Sequence, residues 1–138
     1  MTPTTISMNQ PGGQRRVIVG VDTHKDAHVA VALDELGGLL GSGTFTADRA
    51  GYRALIGWAA VFGDQIVFGV EGTGSYGAGL ASAIRRSGNG VLEVLRADRR
   101  DRRLRGKSDT IDAENAARAV LAGIVHAVPK TGDGIVEM

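Results

Sequence analysis

The chain has no cysteine among its 138 residues, and aromatic residues make up only 4% of it. The missing thiols exclude a disulfide framework and a thiolate zinc site. They also fit a reducing interior, so we expect a cytoplasmic protein. No apolar run approaches the ~20 residues of a membrane-spanning helix, so no membrane association is expected. With few aromatics, the core must consist of Val, Ile, Leu and Ala, and the length suits a single domain.

The formal net charge is only +1, but the charges are distributed unevenly along the chain. Seven basic residues crowd one short segment: Arg96, Arg99, Arg100, Arg102, Arg103, Arg105 and Lys107. Arginine forks match phosphate oxygens, and no aromatic side chain interrupts the segment. The segment therefore predicts contact with a nucleic-acid backbone without base readout, with Arg99 to Lys107 as the binding residues. A solvated loop is the alternative interpretation.

Two apolar runs of the sequence each end in a carboxylate. Residues 17–21 lead into Asp22, and residues 66–70 lead into Glu71. Uninterrupted apolar runs of this length are typical of strands that are covered on both faces of a sheet. If the two strands are parallel neighbours, their ends lie ~5 Å apart. Because two carboxylates that close repel each other unless a cation lies between them, the pair predicts a divalent-metal site.

The remaining pattern predicts an α/β domain with the element order βββαβαβα, an antiparallel meander followed by parallel crossovers. Residues 1–14, rich in Thr, Pro, Gly and Gln, are predicted to be a disordered tail, and the domain is expected to span residues 15–125. The remaining elements are a half-buried strand at 27–33, a strand at 39–46, a helix capped by Asp48 that ends near Gly63, a helix ending at Gly88, a strand at 91–95, and a helix at 109–122 closed by Gly123.

Two more acids, Asp109 and Asp112, stand three residues apart at the predicted start of the last helix. Residues at this spacing share one face of a helix. If that helix end lies over the two strand ends, four carboxylates converge, and two Mg²⁺ or Mn²⁺ ions ~4 Å apart would support in-line attack on a phosphodiester. Hard oxygen ligands favour Mg²⁺ over zinc. The alternative is that both acids only cap the helix and complement its dipole.

Residues near the first two acids admit several interpretations. His24 and Lys25 are candidates for a phosphate contact, although a turn or surface role is the simpler interpretation. The Gly-rich turn at residues 72–77 offers backbone amides to a phosphate, but a plain βα turn is favoured. His126 is most simply structural, and three scattered histidines without cysteine make no zinc site.

Three segments of the sequence, in this order, carry a family resemblance. They are V-I-V-G-V-D-T-H-K-D around Asp22, G-V-E-G-T-G-S-Y-G around Glu71, and G-K-S-D-T-I-D-A-E-N-A-A-R-A-V-L-A-G around Asp109 and Asp112. Over roughly residues 16–138, the chain resembles the N-terminal domain of the DEDD-type insertion-sequence transposases, the IS110 family that includes the pilin-gene invertases.

The resemblance implies a RuvC-like, ribonuclease-H-type fold, with a mixed five-stranded sheet flanked by helices. It implies that Asp22, Glu71, Asp109 and Asp112 are the catalytic tetrad, which binds Mg²⁺ or Mn²⁺ and acts on DNA during transposition. Members of the family work as oligomers with a guide RNA. They continue through a helical linker into a C-terminal domain that supplies a nucleophilic serine. Residues 126–138 are expected to begin that linker, so this chain is expected to be incomplete for full recombination.

Two other function classes stay open. One is a non-catalytic fragment that binds nucleic acid or the full-length transposase. The other is a nucleotide-binding module of the actin or sugar-kinase type, which needs a D-x-G-x-T turn after the first strand. The sequence there is Asp22-Thr23-His24-Lys25-Asp26, without glycine, so this class is less favoured.

Overall fold

The computed structural model describes residues 16–95 and 109–134, with the side chains of the last helix described as far as residue 123. The elements are β1 (Arg16–Thr23), β2 (Ala27–Asp34), β3 (Leu39–Thr46), α1 (Arg49–Ala60), β4 (Gln65–Glu71), α2 (Ala78–Arg86), β5 (Gly90–Val94) and α3 (Asp109–Gly134). The predicted element order is confirmed. The predicted tail at 1–14 and the basic segment from Arg96 to Lys107 lie outside the described residues.

The five strands form one mixed sheet in the order β3-β2-β1-β4-β5. The pairs β1–β2 and β2–β3 are antiparallel, whereas β1–β4 and β4–β5 are parallel. The meander therefore supplies one half of the sheet and the crossovers supply the other. This is the predicted α/β class, a mixed five-stranded sheet flanked by helices. No helix in the described part of the chain is long and apolar enough to cross a membrane.

Helices cover both faces of the central strands, and alternate residues of β1 face opposite layers. Val17, Val19 and Val21 lie in one apolar cluster with side chains of α1 and α2. Ile18 lies in a second cluster, with side chains of α3. The strand that ends at Asp22 is therefore held from both sides.

The prediction that β2 is half-buried is wrong. Residues 29–33 are all buried, because Ala30 and Ala32 face the layer of α1 and α2 while Val31 and Leu33 face α3. Alanine alternating with larger apolar residues also fits a strand between two helix layers, since a small side chain lets a helix approach. The partly exposed strands are β3 and β5, at the two edges of the sheet.

The helix boundaries follow local capping, with one exception. Asp48 caps α1, because its carboxylate accepts a hydrogen bond of 2.8 Å from the Gly51 N–H. After α2, Gly88 has the φ of 91° that commonly ends a helix. The predicted end of the last helix at Gly123 is wrong: α3 continues to Gly134. Gly123 does not take the left-handed conformation through which glycine ends a helix, so it is an ordinary helical residue.

Candidate metal centre

The first two acids lie side by side at the ends of the two central parallel strands. The register pairs Val21 with Val70, so the residues that follow, Asp22 and Glu71, are neighbours across the sheet. Both are buried, with 0% and 4% exposure. Glu71 is close enough to Asp22 to lower the pKa of its carboxyl group. The Thr23 hydroxyl donates to the Glu71 carbonyl oxygen at 2.9 Å, which ties the two strand ends together. The predicted parallel pairing is confirmed.

The third and fourth acids arrive on α3, which lies unusually close to β1. A Cβ atom added at Gly20 would stand 2.2 Å from the Ala113 carbonyl oxygen and 2.2 Å from the Ala117 nitrogen. The helix backbone therefore rests directly on the strand backbone, with Ala113 and Ala117 fully buried. This close approach brings the first turn of α3, with Asp109 and Asp112, over the ends of β1 and β4.

His24 joins the acids from both directions. Its Nε2 lies 2.8 Å from Asp22 Oδ2 and 3.2 Å from Asp109 Oδ1. One ligand atom from each of the three residues lies within 4.8 Å of the other two. His24 does lie in the turn between β1 and β2 with its side chain 39% exposed, as the favoured interpretation expects, but it also contacts both acids, which that interpretation does not include. The sequence carries a partial signal for this contact, since residues at i and i+2 of a strand share a face, and His24 is the first residue after β1 ends at Thr23.

The electrostatics of Asp22 indicate a site that suits a cation. Burial raises the pKa of Asp22, and the nearby charge of Asp112 raises this pKa further, while the contacts with His24 and Glu71 lower it. Asp22 Oδ1 is buried and has no hydrogen-bond partner in the described part of the chain. An unsatisfied buried carboxylate oxygen is costly, and a bound cation would satisfy it.

The donor set fits a divalent ion. The structure brings Asp22, His24 and Asp109 into one cluster. Glu71 and Asp112, which are 4% and 9% exposed, lie outside that cluster but near enough to act on the pKa of Asp22. Carboxylate oxygens are the ligands that Mg²⁺ and Mn²⁺ prefer, and an imidazole nitrogen is compatible with Mn²⁺. Among the described residues, Asp22, His24 and Asp109 are the ones whose ligand atoms lie close enough together to share one ion.

His28 holds the backbone of His24 in place through a hydrogen bond. Its ring is fully buried and stacks on Tyr52, with 6.0 Å between ring centroids and an interplanar angle of 8°. Burial lowers the pKa of His28, so the ring is neutral. Its Nδ1 accepts a hydrogen bond of 3.3 Å from the His24 N–H. His28 thus fixes the backbone that presents His24, whereas Lys25 points into solvent.

The Gly-rich turn after Glu71 closes on itself. The Ser75 and Gly77 N–H groups both donate to the Gly72 carbonyl oxygen, at 2.9 and 2.8 Å. Gly72 has a φ of 66°, which favours glycine. Two backbone amides of the turn therefore already donate hydrogen bonds within the turn. This favours the interpretation as a plain βα turn over a phosphate-binding turn.

Comparison with known proteins gives one family match. A family model described as a transposase, the DEDD type of IS110, matches residues 19–138, which include all four acids. A fowlpox virus Holliday junction resolvase is similar in structure, with 12% identity and a TM-score of 0.48 over 82% of this chain and 98% of the resolvase. The Pelota protein of Thermoplasma acidophilum is similar at 14% identity and a TM-score of 0.39, over 94% and 47% of the two chains. No curated protein matches.

Proposed function

We propose a function for this chain from the premise that it belongs to the IS110 family of DEDD transposases, whose model matches residues 19–138. The domain holds divalent ions through Asp22, Glu71, Asp109 and Asp112, and it acts on DNA phosphodiesters in the transposition of an insertion sequence. The observation that carries this proposal is the Asp22 carboxylate, which is fully buried, surrounded by other acids, and left with one oxygen that no described group satisfies.

The residues of the centre divide into a closed side and an open side. Asp22 and Glu71 are buried at the strand ends, whereas the side chains of His24 and Asp109 are 39% and 52% exposed. A DNA strand therefore approaches from the side of His24 and the start of α3. Mg²⁺ or Mn²⁺ held by these residues would supply charge stabilisation for attack on a phosphodiester. The acids orient the ions, and the surrounding apolar layers of the sheet keep the strand ends rigid.

DNA is the proposed substrate, and the proposed partners are those that the family implies. A guide RNA and further copies of the chain would assemble with the full-length protein. The basic residues Arg99, Arg100, Arg102, Arg103, Arg105 and Lys107 directly precede α3 in the sequence. They are proposed to contact the nucleic-acid backbone beside the acids.

Replacing Glu71 with glutamine tests the reaction. With Mn²⁺ and a labelled four-way DNA junction or linear duplex, we expect Glu71→Gln to reduce strand cleavage at least ~100-fold, because the ion loses a charged ligand. The matched control is Glu114→Gln, since Glu114 lies on α3 but pairs with Arg118 at 2.8 Å. The control should cleave within about 2-fold of the wild type, as a surface pair contributes little.

Strand cleavage by the wild-type chain in the same experiment decides between the two leading function classes. Cleavage that needs the metal and Glu71 supports the catalytic assignment. A wild-type chain that binds the DNA and the metal but cuts no strand would reject it, in favour of the non-catalytic binding fragment. Equal loss in both variants would show that the effect is not specific to the centre.

Replacing His24 with alanine tests whether its imidazole is part of the ligand set. Imidazole favours transition metals over Mg²⁺, so the wild-type melting temperature should rise more with Mn²⁺ than with Mg²⁺. In His24→Ala we expect that difference to shrink by at least half, with a Mg²⁺ response that persists. Lys25→Ala is the control, because Lys25 is the exposed neighbour. An Mn²⁺ advantage that survives unchanged in His24→Ala would remove the imidazole from the ligand set.

A further inference from the structure

A second feature of the domain lies away from the acids, between α1 and α2. It is a cleft of about 650 Å³, here called the arginine cleft. The cleft is lined by Arg49, Tyr52, Arg53, Ile56, Ala83, Arg86 and Ser87. The cleft lies on the sheet face that α1 and α2 cover, whereas α3 covers the opposite face. It is therefore distinct from the surface of α3 that carries Asp109 and Asp112.

The arginine cleft carries positive charge without compensation from its own lining. Three of its seven lining residues are arginines, and none is an acid. No carboxylate among the described residues forms an ion pair with Arg49, Arg53 or Arg86. The acid nearest in sequence, Asp48, already accepts hydrogen bonds from the Gly51 N–H and the Thr46 hydroxyl, each at 2.8 Å. All three arginines are exposed. The Arg86 guanidinium donates one hydrogen bond to the neutral Ser82 hydroxyl, which leaves its charge and its other N–H groups available to an anion.

The chemistry of this lining favours a sugar–phosphate backbone over a small organic ligand. Small-molecule sites are mostly apolar and enclosed, with few polar groups. Here the charged groups are planar guanidinium forks, which match pairs of phosphate oxygens. They extend along two helices, α1 and α2, so they suit a repeating anion better than a single one.

The arginine cleft is connected to the metal centre through two stacked rings, the partly buried Tyr52 and the buried His28. Tyr52 lines the cleft and stacks on His28. The His28 Nδ1 accepts the hydrogen bond from the His24 N–H, and His24 contacts Asp22 and Asp109. Through these contacts the wall of the cleft is linked to the end of β1 that carries Asp22.

We propose that the arginine cleft is a second nucleic-acid site, which binds the phosphate backbone of a strand on the face opposite α3. The inference extends the proposed function, because it takes the ligand to be the nucleic acid on which the domain acts. DNA and RNA present the same phosphate chemistry, so the site by itself does not select between them. Its role is to hold a strand, and it has no part in the chemistry at the acids.

The test measures the salt dependence of nucleic-acid binding by fluorescence anisotropy, with labelled single-stranded DNA, single-stranded RNA and duplex DNA of one sequence. In the triple variant Arg49→Ala/Arg53→Ala/Arg86→Ala, we expect the slope of log K against log salt to become shallower by about 2 on single strands and 2–3 on duplex. The matched controls are the single variants Arg86→Ala and Arg85→Ala. Both residues are exposed on α2, but only Arg86 lines the cleft. Arg86→Ala should change the slope by about 0.7–0.9, and Arg85→Ala by much less.

Each outcome decides the proposal. If the triple variant shows a shallower salt slope with RNA alone, with DNA alone or with both, the result supports the proposed site and shows which nucleic acid binds there. An unchanged slope in the triple variant, or equal changes for Arg85→Ala and Arg86→Ala, would overturn it, because the arginines would then act only through long-range charge. The melting temperature of the triple variant should still rise with Mn²⁺. A wild type without any metal response would instead count against the proposed function, so the two failures are distinguishable.

Discussion

Gly20→Ala is expected to destabilise the domain strongly, because α3 leaves no room for a side chain at this position of β1. Its Cβ would stand 2.2 Å from two backbone atoms of α3, and neither atom can move unless the helix moves. We expect a loss of about 3 kcal/mol or more in the free energy of unfolding, which corresponds to a fall of at least ~10 °C in melting temperature. Because α3 carries Asp109 and Asp112, the stabilisation by Mn²⁺ should fall as well.

Gly57→Ala is the control for the Gly20 experiment. Gly57 lies in α1, and a Cβ added there meets no atom within 4 Å. Since alanine is the better helix former, this variant should gain up to about 1 kcal/mol of stability. If Gly20→Ala melts at the wild-type temperature and keeps its metal response, the close approach of α3 to β1 is wrong, and the position of two of the four acids is wrong with it.

Asp22→Asn is expected to stabilise the metal-free domain and to abolish its response to metal. The buried Asp22 carboxylate has one unsatisfied oxygen and lies near other acids, and the amide keeps its shape without its charge. With EDTA at pH 8, we expect the variant to melt roughly 4 °C above the wild type, which corresponds to about 1 kcal/mol. At 100 times the dissociation constant, Mn²⁺ should stabilise the wild type by about 2.7 kcal/mol.

The matched control for Asp22→Asn is Asp26→Asn. Asp26 is an exposed acid four residues away, so its variant should melt within about 2 °C of the wild type under both conditions. A metal response in Asp22→Asn as large as that of the wild type would show that the ion binds elsewhere. If Asp22→Asn is less stable than the wild type in EDTA, the Asp22 carboxylate is stabilised by its protein neighbours even when no metal is bound.

Much of the fold could be predicted from the sequence because its signals are local. The two apolar runs that end in Asp22 and Glu71 are found as parallel neighbours in register. The cap at Asp48 and the helix end at Gly88 are set by hydrogen-bonding and backbone preferences of single residues. A local signal can also mislead: Gly123 predicts the end of a helix, but the helix packs along the sheet and continues to Gly134.

The features that the sequence did not predict depend on which elements meet. The burial of Ala30 and Ala32 depends on α1 and α2 covering that face. The approach of α3 depends on the missing side chain at Gly20, which an apolar run does not reveal. His24 enters the centre only because β1 continues to Thr23 while Asp109 arrives from the other side. The arginine cleft combines residues of two helices that are separated by a strand.

The most direct measurement is the anomalous difference density of crystals of this chain soaked in Mn²⁺. The proposed centre predicts a peak about 2 Å from a carboxylate oxygen of Asp22, with Glu71 and the first turn of α3 around it and no such peak in Asp22→Asn. Crystals that show ordered Asp22 and Glu71 side chains without manganese between them, or manganese bound only at unrelated surface acids, would contradict it.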